Sequence, residues 1–178
     1  WSEEGRLLII MAPSDTLSGI VLENNSQDKS NRLCFNSEKL NILKNTNEAL
    51  AALKQAIELD SNNSTALHLY GSMLNQQNSL DCVSFYERSL KINNKSYLTF
   101  NGLGNFYLKT NQFEKAENSY SKAIEINPKR SAKIYKNRAY IREKQNKNSD
   151  AKEDLKSYLK YFPQAPDRGI IEQAIREI

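Results

Sequence analysis

Side chains able to do covalent or metal chemistry are sparse in this 178-residue chain, which has one histidine, His68, and two cysteines, Cys34 and Cys82. A thiolate nucleophile needs an imidazole within hydrogen-bond reach, and a closed zinc site needs four thiolate or imidazole ligands, so this set supports neither. Two cysteines also define no disulfide framework. Carboxylates cluster at Glu114 and Glu117 and again at Asp150, Glu153 and Asp154. Paired carboxylates can move protons, but these fall at surface positions of helices, where solvated charge is the favoured reading. The sequence has no Gly-rich phosphate loop, no Gly-x-Ser-x-Gly turn and no His-Glu-x-x-His pair. The expectation is a chain that is not an enzyme, with no catalytic residue, metal site, cofactor or small-molecule substrate.

A second kind of chemistry is anion attraction. From Lys129 onward there are 13 basic and 7 acidic residues, a net charge of +6, against −2 for the first 128 residues. Lys129, Arg130, Lys133, Lys136, Arg138, Arg142, Lys144 and Lys147 crowd one stretch, which could meet an acidic partner or a phosphate backbone. Tyr135, Tyr140, Tyr158 and Tyr161 interleave with them, but Tyr135 and Tyr158 take places that read as core, against a base-stacking platform.

The elements that carry these residues repeat. Gly104, Ala116, Tyr120 and Pro128 recur 35 positions later as Ala139, Ala151, Leu155 and Pro163. Going backwards, Gly104 answers to Gly71, and Tyr120, Ile124, Ile126 and Asn127 answer to Tyr86, Leu90, Ile92 and Asn93. One step further, Cys82, Tyr86, Ser89, Leu90 and Ile92 answer to Ala49, Leu53, Ala56, Ile57 and Leu59. A period near 34 residues is that of stacked helical hairpins. Spacings of three, four and seven put 103, 104 and 107 on one face of a helix and 116, 120 and 123 on one face of the next. Gly104, Ala116, Ala123, Ala139 and Ala151 would let helix backbones approach, while Tyr107, Tyr120 and Leu155 fill the space between hairpins. Cys82 holds the small-residue place, which predicts a buried, inert thiol. Asn111-Gln112 and Asn148-Ser149-Asp150 are expected to supply turn and capping oxygens, and Pro128 and Pro163 to stop the second helices.

With Phe100, Leu103, Gly104 and Tyr107 on a first helix, Ala116, Tyr120 and Ala123 on a second, and Pro128 closing the unit, the pattern resembles the tetratricopeptide repeat (TPR) family over about residues 31 to 165. The resemblance implies an all-α, right-handed superhelical solenoid of about four helical hairpins, at 31–63, 64–96, 97–130 and 132–165, with a capping helix at 166–178. The first helix is placed at Asn31 to Leu43, with Leu33, Ser37 and Leu40 in the motif places. The capping helix carries Ile170, Ile171, Ala174, Ile175 and Ile178 as an apolar stripe, with Asp167 as its cap.

The resemblance also implies a non-catalytic scaffold for protein-protein interaction, whose first helices line a concave groove for an extended or acidic peptide or a partner helix. Its groove positions fall on His68 and Ser72, then Asn101, Asn105 and Leu108, then Lys133, Lys136, Asn137 and Tyr140. The peptide-binding set is Asn101, Asn105, Lys133, Lys136, Asn137 and Tyr140. Asn offers a donor and an acceptor to a peptide backbone, and Lys can meet a carboxylate. Asn105 with Asn137 resembles the Asn pair of the clamp that holds chaperone tails, but Asn101 stands where that clamp has a lysine and its arginine position falls near Glu172, which argues against chaperone binding. An assembly or adaptor factor fits this reading. The alternatives are an accessory region of a larger enzyme and, less favoured, a basic nucleic-acid-binding module.

Residues 1–30 do not fit the repeat. Leu7 to Ala12 and Ile20 to Leu22 read as strand, loop, strand or as the end of an upstream domain, and Glu23 to Asn31 as a linker. Glu3 and Glu4 precede the apolar run where a signal peptide carries positive charge. A chain that begins at Trp1 reads as a fragment, and the cytoplasm is the favoured compartment. No segment approaches the length and hydrophobicity of a membrane span.

Overall fold

The computed structural model describes residues 26–178. The strand, loop, strand reading lies outside the described residues, as does the linker before Ser26. Among the described residues there are nine helices and no strand: α1 (Ser26–Ile42), α2 (Thr46–Leu59), α3 (Ser64–Gln76), α4 (Cys82–Ile92), α5 (Tyr97–Lys109), α6 (Phe113–Ile126), α7 (Ala132–Lys144), α8 (Asn148–Tyr161) and α9 (Arg168–Glu177). Successive helices pair as hairpins from α1–α2 to α7–α8, and each second helix also packs on the first helix of the next hairpin. The architecture is an all-α helical solenoid.

Small and large residues alternate in its core as the repeat requires. Ala49, Leu53 and Ala56 on α2, Cys82, Tyr86 and Ser89 on α4, Ala116, Tyr120 and Ala123 on α6, and Ala151, Leu155 and Tyr158 on α8 are all buried. Facing them on the first helices are Ser37, Gly71, Gly104 and Ala139, also buried. A Cβ on Gly104 would lie 2.4 Å from Tyr120 Cε1, and one on Gly71 would lie 3.1 Å from Tyr86 Cδ1. At Gly104 the tyrosine ring leaves no room for a Cβ, and at Gly71 a Cβ would fit only if the ring gave way slightly, whereas Ala139 keeps its methyl with leucine opposite. Cys82 is buried and burial pushes its thiol up from 9.0, as expected of an inert packing residue. Cys34 joins the core of the first hairpin, and burial raises its thiol to about 11.

The first helix begins at Ser26, five residues before Asn31, which corrects the expected start and the linker that ended at Asn31. Composition hid this turn, because its residues are polar and only one is buried. That residue, Ser30, donates its Oγ proton to Ala56 O at 2.8 Å and accepts from Asn63 Nδ2 at 2.8 Å.

Capping differs from expectation too. Lys44, Asn78, Asn111 and Asn146 take the left-handed conformation, with φ of 61°, 59°, 56° and 60°, and so reverse the chain within each hairpin. Neither Gln112 nor the residues around Asn148 cap a second helix through a side chain. Gln112 instead bonds Thr110 and Lys115. Side-chain caps serve first helices: Ala66 N donates to Asn63 Oδ1 at 3.0 Å, and Thr99 N donates to Ser96 Oγ at 3.3 Å.

At the carboxyl end α9 packs on α8 and buries Ile171, with Ala174, Ile175 and Ile178 partly buried beside it. Ile170 is 72% exposed and does not belong to that stripe. Asp167 precedes α9 without capping it, because its carboxylate accepts from Lys136 Nζ at 2.7 Å and Tyr158 Oη at 2.6 Å.

Candidate functional site

The first helices α3, α5 and α7 bring two cavities end to end. One, of about 470 Å³, lies between α3 and α5, lined by His68, Ser72, Gln76 and Leu108 among others. The second, of about 450 Å³, lies between α5 and α7, with Arg130, Lys133, Asn137 and Phe162 in its wall. Leu98, Asn101 and Asn105 belong to both, which makes one continuous groove. These three residues share a side of α5 because they follow at spacings of three and four.

The middle of the groove is a fixed amide network. Tyr120 Oη, on a fully buried side chain, donates to Asn105 Oδ1 at 2.7 Å. Asn137 Nδ2 reaches the same Oδ1 at 3.5 Å and Tyr120 Oη at 3.4 Å. Burial, only partly opposed by Asn137, raises the Tyr120 hydroxyl to about 12, so it stays a donor at neutral pH. Asn105 Nδ2 and the whole amide of Asn101 make no hydrogen bond to described residues and remain for a ligand. His68 bonds Thr99 Oγ1 at 3.2 Å through Nδ1, and burial lowers its pKa to about 4. At neutral pH it contributes a neutral hydrogen-bonding group and no charge.

Of the peptide-binding set expected from sequence, Asn101, Asn105, Lys133 and Asn137 converge on the α5–α7 cavity. Lys136 and Tyr140 do not line it. Lys136 pairs with Asp167 and lies 5.4 Å from the Tyr158 ring centroid, while Tyr140 is 49% exposed beneath the Lys144 ammonium. Sequence reasoning missed Leu98, which is 48% exposed and precedes Asn101 by three residues, a spacing that could have found it. It also missed Phe162, which reaches the groove from the end of α8 and carries no such signal.

Half of the basic stretch is engaged in ion pairs within the molecule. Arg138 makes a bidentate pair with Asp154, with Nη2 to Oδ1 at 2.7 Å and Nε to Oδ2 at 2.9 Å. Arg142 reaches Asp154 Oδ2 at 3.0 Å and Glu117 Oε1 at 2.9 Å, and Lys147 completes the chain at Glu117 Oε2, 2.7 Å away. The Asp154 side chain is only 4% exposed. Arg138 and Arg142 thus hold helices together and are mostly hidden from an acidic partner, and the half-exposed Lys147 is paired, whereas Arg130 and Lys133 have no carboxylate partner among the described residues.

Two stretches match family models of the tetratricopeptide repeat, at residues 97–130 and 40–63, the first spanning the whole α5–α6 hairpin. The chain carries tetratricopeptide repeats. Solved structures agree on the fold. PilF of Pseudomonas aeruginosa superposes with a TM-score of 0.76 at 16% identity, over 85% of this chain and 71% of that one. A crystal structure of MamA gives 0.68 at 20% identity, over 76% of this chain and 79% of that one. MamA 41-end from Desulfovibrio magneticus RS-1 gives 0.66 at 16% identity, over 79% of each chain. Comparison with curated proteins gives no match. A TPR solenoid is a protein-interaction scaffold and is typically non-catalytic. No described helix is long and apolar enough to cross a membrane.

Proposed function

We propose that this TPR protein holds an extended, acidic segment of another protein in the groove of α3, α5 and α7, as an assembly or adaptor factor. The observation that carries this reading is the continuity of the two cavities through Leu98, Asn101 and Asn105, with free amide groups in the middle and unpaired Arg130 and Lys133 at one end. Backbone groups of an extended peptide need partners at regular spacing, and the Asn ladder supplies them without movement. A nucleic-acid module has less support, since Arg138, Arg142, Lys136 and Lys147 already have carboxylate partners.

The test is selection of peptides from a short random library, followed by titration against variants. Asn101→Ala and Lys133→Glu should each weaken the selected peptides by about 1–3 kcal/mol, roughly five- to a hundredfold, with an unchanged melting temperature. Lys54→Glu on α2, exposed and outside the groove, should change nothing. Asn105→Ala should cost about 1 kcal/mol of stability as well, because Tyr120 Oη loses its closest acceptor. Equal weakening by Lys54→Glu would sink the groove in favour of diffuse charge, and a steep loss of binding with salt would indicate phosphate contacts.

A further inference from the structure

A second furrow runs along the other side of α5. Phe100, Leu103 and Tyr107 follow at spacings of three and four and lie nearly half a turn around the helix from Leu98, Asn101 and Asn105, so the two sets face opposite ways. Two cavities, of about 500 and 280 Å³, share Phe100 and Lys122 and therefore join. Their floor is apolar: Leu90 of α4, the three α5 residues, and Ile126 of α6.

The rim is basic, and its spacing is regular. Lys115 and Lys122 stand seven residues apart on α6, with ammonium groups 5.4 Å from the Tyr107 ring centroid and 5.5 Å from that of Phe100. The two rings are themselves seven residues apart on α5. Lys95 adds a third cation at one end. Glu125 is the one carboxylate in the lining, and Glu87 acts on the Tyr107 hydroxyl from α4. None of the three lysines is ion-paired among the described residues, and the one hydrogen bond from a rim ammonium is Lys115 Nζ to Gln112 Oε1 at 2.9 Å. An ammonium held over a ring face keeps its outward N–H groups for an anion.

We propose that this furrow is a second docking surface, and that its occupant is an amphipathic helix with acidic residues two turns apart beside an apolar stripe. Lys115 and Lys122 repeat at roughly 10.5 Å along α6, the same rise that separates positions i and i+7 of a helix laid alongside it. Leu90, Phe100 and Tyr107, all partly exposed beside the lysines, offer the apolar strip such a helix needs. Because this face opposes the groove, both surfaces can be occupied at once.

A displayed library of helical peptides, selected on the immobilised protein, tests this. Enriched peptides should combine an apolar stripe with Asp or Glu two turns apart. They should bind the Lys115→Glu/Lys122→Glu protein about tenfold or more weakly, the Lys115→Arg/Lys122→Arg protein normally, and Asn101→Ala normally. If the charge-reversed pair does not fold, Lys115→Gln/Lys122→Gln removes the charge alone and should show the same loss. Enriched helices that depend on Asn101 and not on the lysines would overturn the proposal, as would no enrichment over the starting library. Adsorption to phosphatidylserine-rich vesicles that the lysine variants abolish, with no helix enriched, would overturn it in favour of a lipid surface.

Discussion

Position for position, Leu103 and Tyr107 of the third hairpin correspond to Arg138 and Arg142 of the fourth, while Gly104 and Tyr120 correspond to Ala139 and Leu155. In the third hairpin these places are filled by apolar packing, with Leu103 buried and Tyr107 partly so. In the fourth, two guanidinium groups occupy them and are neutralised by Asp154 of α8 and Glu117 of α6. Both hairpins keep the same helix pairing. What the repeat demands is therefore volume and close approach at the small-residue places, and polarity can invert wherever every buried charge finds a partner. The inversion changes what the contact does. A buried ion pair contributes little net stability against an apolar substitute, but it allows few alternative arrangements. Here it ties α6, α7 and α8 to one another across the boundary between hairpins.

The largest expected effect separates the two chemistries. Asp154→Ala should cost about 3–5 kcal/mol in denaturant unfolding, because it strands Arg138, nearly out of water, and takes from Arg142 one of its two carboxylate partners. A loss below about 1 kcal/mol would mean that the arginines reach solvent freely and that the fourth hairpin is held by its apolar residues alone. Next is the small-residue place. Gly104→Leu should cost roughly 1–3 kcal/mol or more, and Ala139→Leu somewhat less, because the tyrosine ring opposite Gly104 already excludes a Cβ. The reverse order in melting experiments would break the pairing of glycine with tyrosine and alanine with leucine.

The smallest effect is acid sensitivity. Burial alone would raise Glu117, but hydrogen bonds from Lys147 and Arg142, reinforced by their charges, outweigh it and hold the carboxyl below its ordinary 4.5. A folded-state pKa below the unfolded one contributes stability that is present above pH 4.5 and disappears as pH falls through the lower folded value. On acidification, amide exchange in α7 and α8 should therefore rise before that in α5. Simultaneous loss across both hairpins would show that the network is not the acid-labile element.

Much of the fold was legible because its signal is local. The small and large residues at 116, 120 and 123 and their counterparts recur at one offset, and a helix turns that offset into a buried stripe without help from elsewhere. The groove was legible for the same reason at Asn101 and Asn105. What was not legible depended on distant partners. Arg138 and Arg142 read as surface charge because Asp154 and Glu117 lie on other helices. Lys136 read as available because Asp167, 31 residues on, is brought to it only by the fold. Ser30 read as linker because its burial needs Ala56 and Asn63. Truncation after residue 30 should accordingly cost the first hairpin its buried hydroxyl.

The left-handed residues in the four hairpin turns bear on how the solenoid is closed. Asn tolerates that conformation through its short side-chain amide, and three of the four turns use it. The first uses Lys44, which has no such relief. Each unit of the stack leans on its neighbours, so a less favourable turn residue makes α1–α2 the hairpin whose closure costs most. At the opposite end the Asp167 contacts to α7 and α8 pin the chain. The helices that line the groove thus stand between a hairpin whose turn carries the least favourable left-handed residue and a carboxylate that ties the chain before α9 back to α7 and α8.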